Sequence, residues 1–186
     1  MKDSKVPQFR INTIIDNCST KPEVLDDYHN ESFNKKDMYS LRDCLKFLMF
    51  GEHKNEISLE KAQEYAQQLE NIENLNTCGY STLANYYLFK NEDEKAYELA
   101  TKGYDKYLKG EESCQCCGAF VAYCKLTGRG TAKDIEEAYN ICKDIELREL
   151  GDVNENAGHV YAECAILLDK DLNHIYELLE KTLFRS

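Results

Sequence analysis

Tryptophan is missing from the chain, proline occurs twice, and apolar runs stop after a few residues. Both prolines, Pro7 and Pro22, lie near the amino terminus, so beyond residue 22 nothing carries the residue that most strongly breaks a helix. The longest apolar runs, such as Phe47 to Phe50 and Ala165 to Leu168, fall far short of the ~20 residues that a membrane-spanning helix needs. The opening MKDSKVPQFRINTIID has no apolar stretch followed by a small-residue cleavage site, which predicts a cytoplasmic protein. Positive charge is also scarce. Lys and Arg number 23 against 34 Asp and Glu, and the formal charge of −11 repels phosphate backbones and anionic lipid surfaces, so neither nucleic acid nor membrane is expected as a partner. Residues 1 to 36 hold six basic and six acidic side chains, so the whole negative excess lies in 37 to 186.

Catalytic signatures are missing too. No HExxH, GxSxG, phosphate loop or dinucleotide fingerprint occurs, and His29, His53, His159 and His174 are scattered over separate segments. The expectation is a protein that is not an enzyme and takes no cofactor. Nine cysteines are an odd number at irregular spacing, which predicts thiols rather than a disulfide framework. The group Cys114, Cys116, Cys117 and Cys124 raises the question of zinc. On one helix through 117 to 124 those two thiols stand two turns apart, about 10 Å, too far to share an ion. The cysteines, with Cys142 and Cys164, are therefore expected as small core residues, and no metal is assigned.

What the sequence does contain is helical periodicity. From about residue 37 onward apolar residues recur at spacings of three and four, as in Leu83, Tyr86, Tyr87 or Ala96, Leu99, Ala100, and strand-like alternation is missing. Breaks rich in Gly, Asn and Asp separate the helices: Gly51, Asn91 to Asp93, Gly110, Gly128 with Gly130, Gly151 to Asn156, and Asp169 to Asp171. One phrase repeats. EKAQEYA from residue 60, EKAYELA from 94, EEAYNIC from 136 and NHIYELL from 173 align, with Ala62, Ala96, Ala138 and Ile175 in register. Upstream of each lies a partner helix with a small residue near its middle: Cys44, Ala84, Ala122 and Ala162. The 13 tyrosines are expected between repeats, with their hydroxyls at the edge of the core.

The pattern predicts an all-α fold of about four stacked helix-turn-helix units over residues 37–186, preceded by a helical cap or partly frayed segment at 1–36. The third unit, AFVAYCKLTGRGTAKDIEEAY from residue 119, resembles the Sel-1-like repeat, a relative of the tetratricopeptide repeat. Ala122 takes the small-residue site of the first helix, Gly128 and Gly130 form the Gly-x-Gly turn, Lys133-Asp134 matches the usual pair, and Ala138 packs on the second helix. Thr131 and Lys125 depart from the usual valine and aromatic residue, and the second unit drops the turn glycines. The resemblance implies a right-handed α-α superhelix that acts as an adaptor or scaffold, holding a protein partner on its concave face.

In that register the first helices present Ser81, Asn85, Leu88 and Phe89, then Ala119, Tyr123 and Leu126, then His159, Glu163 and Ile166. A clamp for a terminal carboxylate would place cations where Ser81, Cys116 and Phe120 stand, so chaperone tails are not the expected ligand. The charge favours a partner with a basic surface. It equally suits an acidic inhibitor or immunity-type protein that masks a basic toxin or nuclease. Self-association through the final helix, Leu172 to Phe184, is a further expectation.

Overall fold

The computed structural model describes residues 56–149, 153–170 and 172–183, together with Met38, Leu41, Arg42 and Leu45; among them no strand occurs. Among the residues described from 56 onward seven helices follow one another: α1 Glu56–Glu70, α2 Thr77–Phe89, α3 Asp93–Leu108, α4 Cys116–Thr127, α5 Ile135–Arg148, α6 Glu155–Leu167 and α7 Asn173–Leu183. The expected cap at 1–36, its boundary with the repeats, and Cys44 lie outside the described residues. Two compact units emerge, Met1–Glu73 and Asn74–Ser186, a division that falls inside the stretch expected to form one repeat domain.

In the first unit α1 buries Ala62, Tyr65, Ala66 and Leu69, the three-and-four spacing of one helix face. Leu41 and Leu45, one turn apart and both helical, are also buried.

The second unit starts and stops its helices with local chemistry. Asn76, Asp134 and Asn154 stand in extended backbone ahead of α2, α5 and α6, and their side chains accept from the N–H groups of Gly79 (2.8 Å), Glu137 (2.9 Å) and Ala157 (2.9 Å). Asp93 and Glu94 begin α3 while Lys106 ends it, and Glu136 and Glu137 begin α5 while Arg148 ends it, the charge order that the helix dipole favours. Helix α4 ends at Gly128, whose φ of 78° is left-handed.

From α2 onward each helix packs on the next, and α2 also touches α4, as α4 touches α6. Among the described residues the backbones of α3 and α5 do not approach in this way. Side chains connect them instead: the Tyr107 hydroxyl donates to Glu149 Oε1 at 2.8 Å, and Arg148 Nη1 reaches the Leu108 carbonyl at 3.4 Å. Close approach needs small residues. Ala96, Ala100, Ala122 and Ala138 are buried, and a side chain on Gly118 would meet Ile145 and the Tyr104 ring at 2.9 Å. Ala62 and Ile175, the other two positions in the aligned phrase, are buried as well. Ala162 differs: it is half-buried, and α6 turns Ala157, Val160, Tyr161, Cys164 and Ala165 inward instead.

The Gly-x-Gly turn fastens one pair to the next. Arg129 between the glycines makes a forked pair with Asp93 at the start of α3, Nε to Oδ2 at 2.9 Å and Nη2 to Oδ1 at 2.7 Å. Gly130, at φ +71°, lies so close to that same turn that an added Cβ would stand 2.5 Å from the Asp93 carbonyl carbon. Buried tyrosines fill the spaces between pairs: Tyr86, Tyr87, Tyr104, Tyr107 and Tyr161. Burial raises the hydroxyl of Tyr104 to a pKa of about 12, and burial with the Glu149 hydrogen bond raises Tyr107 further.

Candidate functional site

Two features of the second unit bear on function: the accessible stripe along α2, α4 and α6, and a cluster of thiols at the ends of α2 and α4. On α2 the stripe carries Ser81, Asn85 and Leu88, all half-buried, and Phe89, 40% exposed. Asn85 Nδ2 donates to the Ser81 carbonyl at 2.8 Å, one turn back. On α6 it carries His159, Glu163 and Ile166, the last 64% exposed.

Helix α4 corrects the expected register. Ala119 and Leu126 are 1% and 3% exposed, so neither reaches a surface where a partner could touch it. The reason is position: α4 packs against α2 on one side and α6 on the other, with α3 and α5 behind it. Only a narrow edge is left, holding Cys116, Tyr123 and Thr127, all half-buried. Tyr123 stacks edge-on with Phe120, ring centroids 6.4 Å apart. Lys125, on another side of α4, pairs with Glu137 of α5 at 2.7 Å and lies 5.8 Å from the ring centre of Tyr97 on α3, contacts that hold it against the second helices. Leu172 and Tyr176 at the start of α7 are exposed, and Ile175 between them is buried.

The thiol cluster is built from three segments. The Asn76 cap sets Cys78 in the first turn of α2. The connection from α3 to α4 crosses that turn, where Glu112 Oε2 accepts from the Thr77 hydroxyl at 3.2 Å and from the Thr77 N–H at 3.4 Å. Cys114 follows, and Cys116 opens α4. Beneath them α3 offers bare backbone at Gly103, where an added Cβ would stand 2.9 Å from Tyr80 Cβ and overlap the Cys117 sulfur. The result brings the sulfurs of Cys78, Cys114 and Cys116 within 4.8 Å of one another, with Cys78 and Cys114 3.2 Å apart. All three residues are half-buried.

Electrostatics separates this trio from the other thiols. Hydrogen bonds from Cys116 and Cys78 hold the Cys114 thiol well below its ordinary range, helped by the Cys116 backbone N–H and the Thr77 hydroxyl. Cys116, the donor in that exchange, is pushed up. Cys117 points away and donates to the Thr77 carbonyl at 3.0 Å. Burial raises Cys117 and Cys142 well above the thiol range, and Cys124 and Cys164 to about 12. Those four are the core thiols that the sequence led us to expect; Cys78, Cys114 and Cys116 are not. The distance between Cys117 and Cys124, which spoke against a shared ion, does not concern this trio. Cys78 was missed because it lies 36 residues before Cys114. That separation is about one repeat, and it is the signal that could have found it.

Among the described residues no helix is long and apolar enough to cross a membrane. No protein-family model, no curated protein and no solved structure matches the chain.

Proposed function

We propose that the chain is an adaptor or scaffold, a right-handed helical-repeat array of Sel-1-like and tetratricopeptide-like kind that binds a protein partner along its first helices. It acts in the cytoplasm and catalyses nothing. The observation that carries this reading is the stripe on α2 and α6, where Leu88, Phe89 and Ile166 offer apolar area beside Ser81, Asn85, His159 and Glu163. The packing pattern supports it. First helices that touch one another in series, α2 to α4 to α6, with second helices whose backbones stay apart, give the arrangement that curves an array around its first helices. Apolar anchors supply the affinity, because exposed charge pairs add only about 0 to 1 kcal/mol each.

Affinity capture from the native cell with the intact chain and with Phe89→Ala and Ile166→Ala tests the reading. A specific protein retained by the intact chain and lost from both variants, each still helical, is the expected result. A partner retained equally by all three proteins places binding elsewhere and refutes it. A second reading, an acidic inhibitor or immunity-type protein masking a cationic toxin or nuclease, is favoured by the −11 charge. It requires an association rate that falls steeply between low and physiological salt, and a captured partner whose activity stops on binding.

A further inference from the structure

We propose that Cys78, Cys114 and Cys116 together bind one Zn2+ ion, as a three-sulfur site at the joint between α2 and α4. Zinc bonded to thiolates at ~2.3 Å in a tetrahedron needs sulfurs about 3.8 Å apart. The separations found here, 3.2 Å for one pair and at most 4.8 Å for any, bracket that value. Small rotations about χ1 are enough to reach it. The ligands come from three places in the chain, the first turn of α2, the α3–α4 connection and the first turn of α4, which are already tied together through Glu112 and Thr77.

Three thiolates repel one another, and the surroundings counter that repulsion. Helices α2 and α4 both begin at the cluster, so the positive ends of their dipoles lie beside the sulfurs. A soft, thiophilic cation is the natural occupant of such a set, and the hard ions Ca2+ and Mg2+ are not. On binding, all three sulfurs are thiolates: the protons that they still carry pass to solvent, and each sulfur donates an electron pair to the metal. No electrons are transferred. The fourth tetrahedral position is left to water, as in sites that keep an exchangeable ligand. A disulfide between Cys78 and Cys114 is the competing use of these sulfurs. It would engage two of them and leave the third without a role, whereas a metal engages all three.

The full chain, purified under reducing conditions and stripped of metal, should bind one equivalent of Co2+. The signature is sulfur-to-cobalt charge transfer together with the visible bands of a tetrahedral ion, and Zn2+ should bleach both. Cys78→Ser and Cys116→Ser should each abolish the signal, while Cys164→Ala, in the core of α6, should keep it. Independently of any variant, Zn2+ should protect Cys78, Cys114 and Cys116 from alkylation together in the native chain, as read by peptide mass spectrometry. Three outcomes overturn the proposal: no charge-transfer band in the intact chain, a signal that survives in both serine variants, or a Cys78–Cys114 disulfide in place of bound metal. Should a serine variant not fold, the alkylation pattern of the intact chain decides alone, and unchanged reactivity at the three cysteines refutes the site.

Discussion

Gly110 and Gly130 share a φ of +71°, yet only one of them has neighbours, and that difference isolates a contact between successive helix pairs. An alanine at either position meets the left-handed backbone strain of an L-residue, about 1 kcal/mol. At Gly110 nothing lies within 4 Å, so the strain is the whole effect. At Gly130 the new Cβ overlaps the Asp93 carbonyl, with Glu94 N 3.0 Å away, and these are backbone atoms that cannot rotate aside. Relief needs the α4–α5 turn to withdraw from the start of α3 by roughly 1 Å, which stretches the Arg129 fork on Asp93 beyond hydrogen-bond length. Overpacking of this kind costs about 1–3 kcal/mol, so Gly130→Ala should lose about 2–4 kcal/mol in all. Thermal melts followed by far-ultraviolet circular dichroism should show a Tm lowered by about 3 °C for Gly110→Ala and about 6–12 °C for Gly130→Ala. Equal shifts in the two variants would refute the packing of that turn on α3, and with it the register that stacks the third helix pair on the second.

The other expectations follow from single contacts. Ala138→Asp forces a carboxylate into the interface that α5 shares with its neighbours, and should lower stability by about 3–5 kcal/mol in urea denaturation; a near-neutral midpoint would contradict the alignment of Ala62, Ala96, Ala138 and Ile175. Asp134→Ala removes the acceptor for the Glu137 N–H and should cost about 1 kcal/mol, while Asp134→Ser should recover most of it. Alkaline titration reports on the buried tyrosines. Tyr104 is raised from 10.0 to about 12 by burial, so its contribution is complete below pH 10 and is lost as pH rises through 12. Tyrosinate absorbance should therefore lag in the native protein and rise steeply with the loss of helicity; a titration that runs to completion near pH 10 with the helices intact would show that these rings are solvated.

Much of the fold was legible because the decisive residues act locally. Asp134 caps a helix by accepting an N–H three residues on, and Gly128 ends one by adopting an angle closed to other residues. The aligned phrase marked Ala96 and Ala138 as points of contact since only a small side chain lets two helices meet, and the repetition marked them twice. What escaped depends on rotation and on distance along the chain. Ala119 and Leu126 belong to the one helix that, among the described residues, has another first helix on each side, a circumstance that no feature of α4's own sequence announces. One residue of slip turns a helix face by about 100°, enough to turn Ala162 half outward and put Tyr161 and Ala165 in the core. The thiol cluster was hidden for a different reason: motif spacing compares near neighbours, while stacking joins residues about one repeat apart, as it also joins Arg129 to Asp93.

The cluster has its origin in how the first helices are capped. Asn76, Gln115 and Asn154 precede α2, α4 and α6 at equal intervals of 39 residues. Asn76 and Asn154 cap their own helices, but the Gln115 side chain does not, because its Oε1 accepts the backbone N–H of Asn154 at 2.9 Å and so serves the next repeat. Helix α4 thus begins without the side-chain cap that α2 and α6 possess. Sulfur gathers at that start instead, with Cys114 two residues before Cys116, which opens α4. An electron-rich sulfur suits a helix start as a carboxylate does, by meeting unsatisfied donors and the positive end of the dipole. The same interaction that links α4 to α6 therefore leaves the joint between α2 and α4 to be closed by thiols. That joint is where Cys78 arrives from α2, and a metal ion there would complete what a hydrogen-bonding side chain does one repeat later.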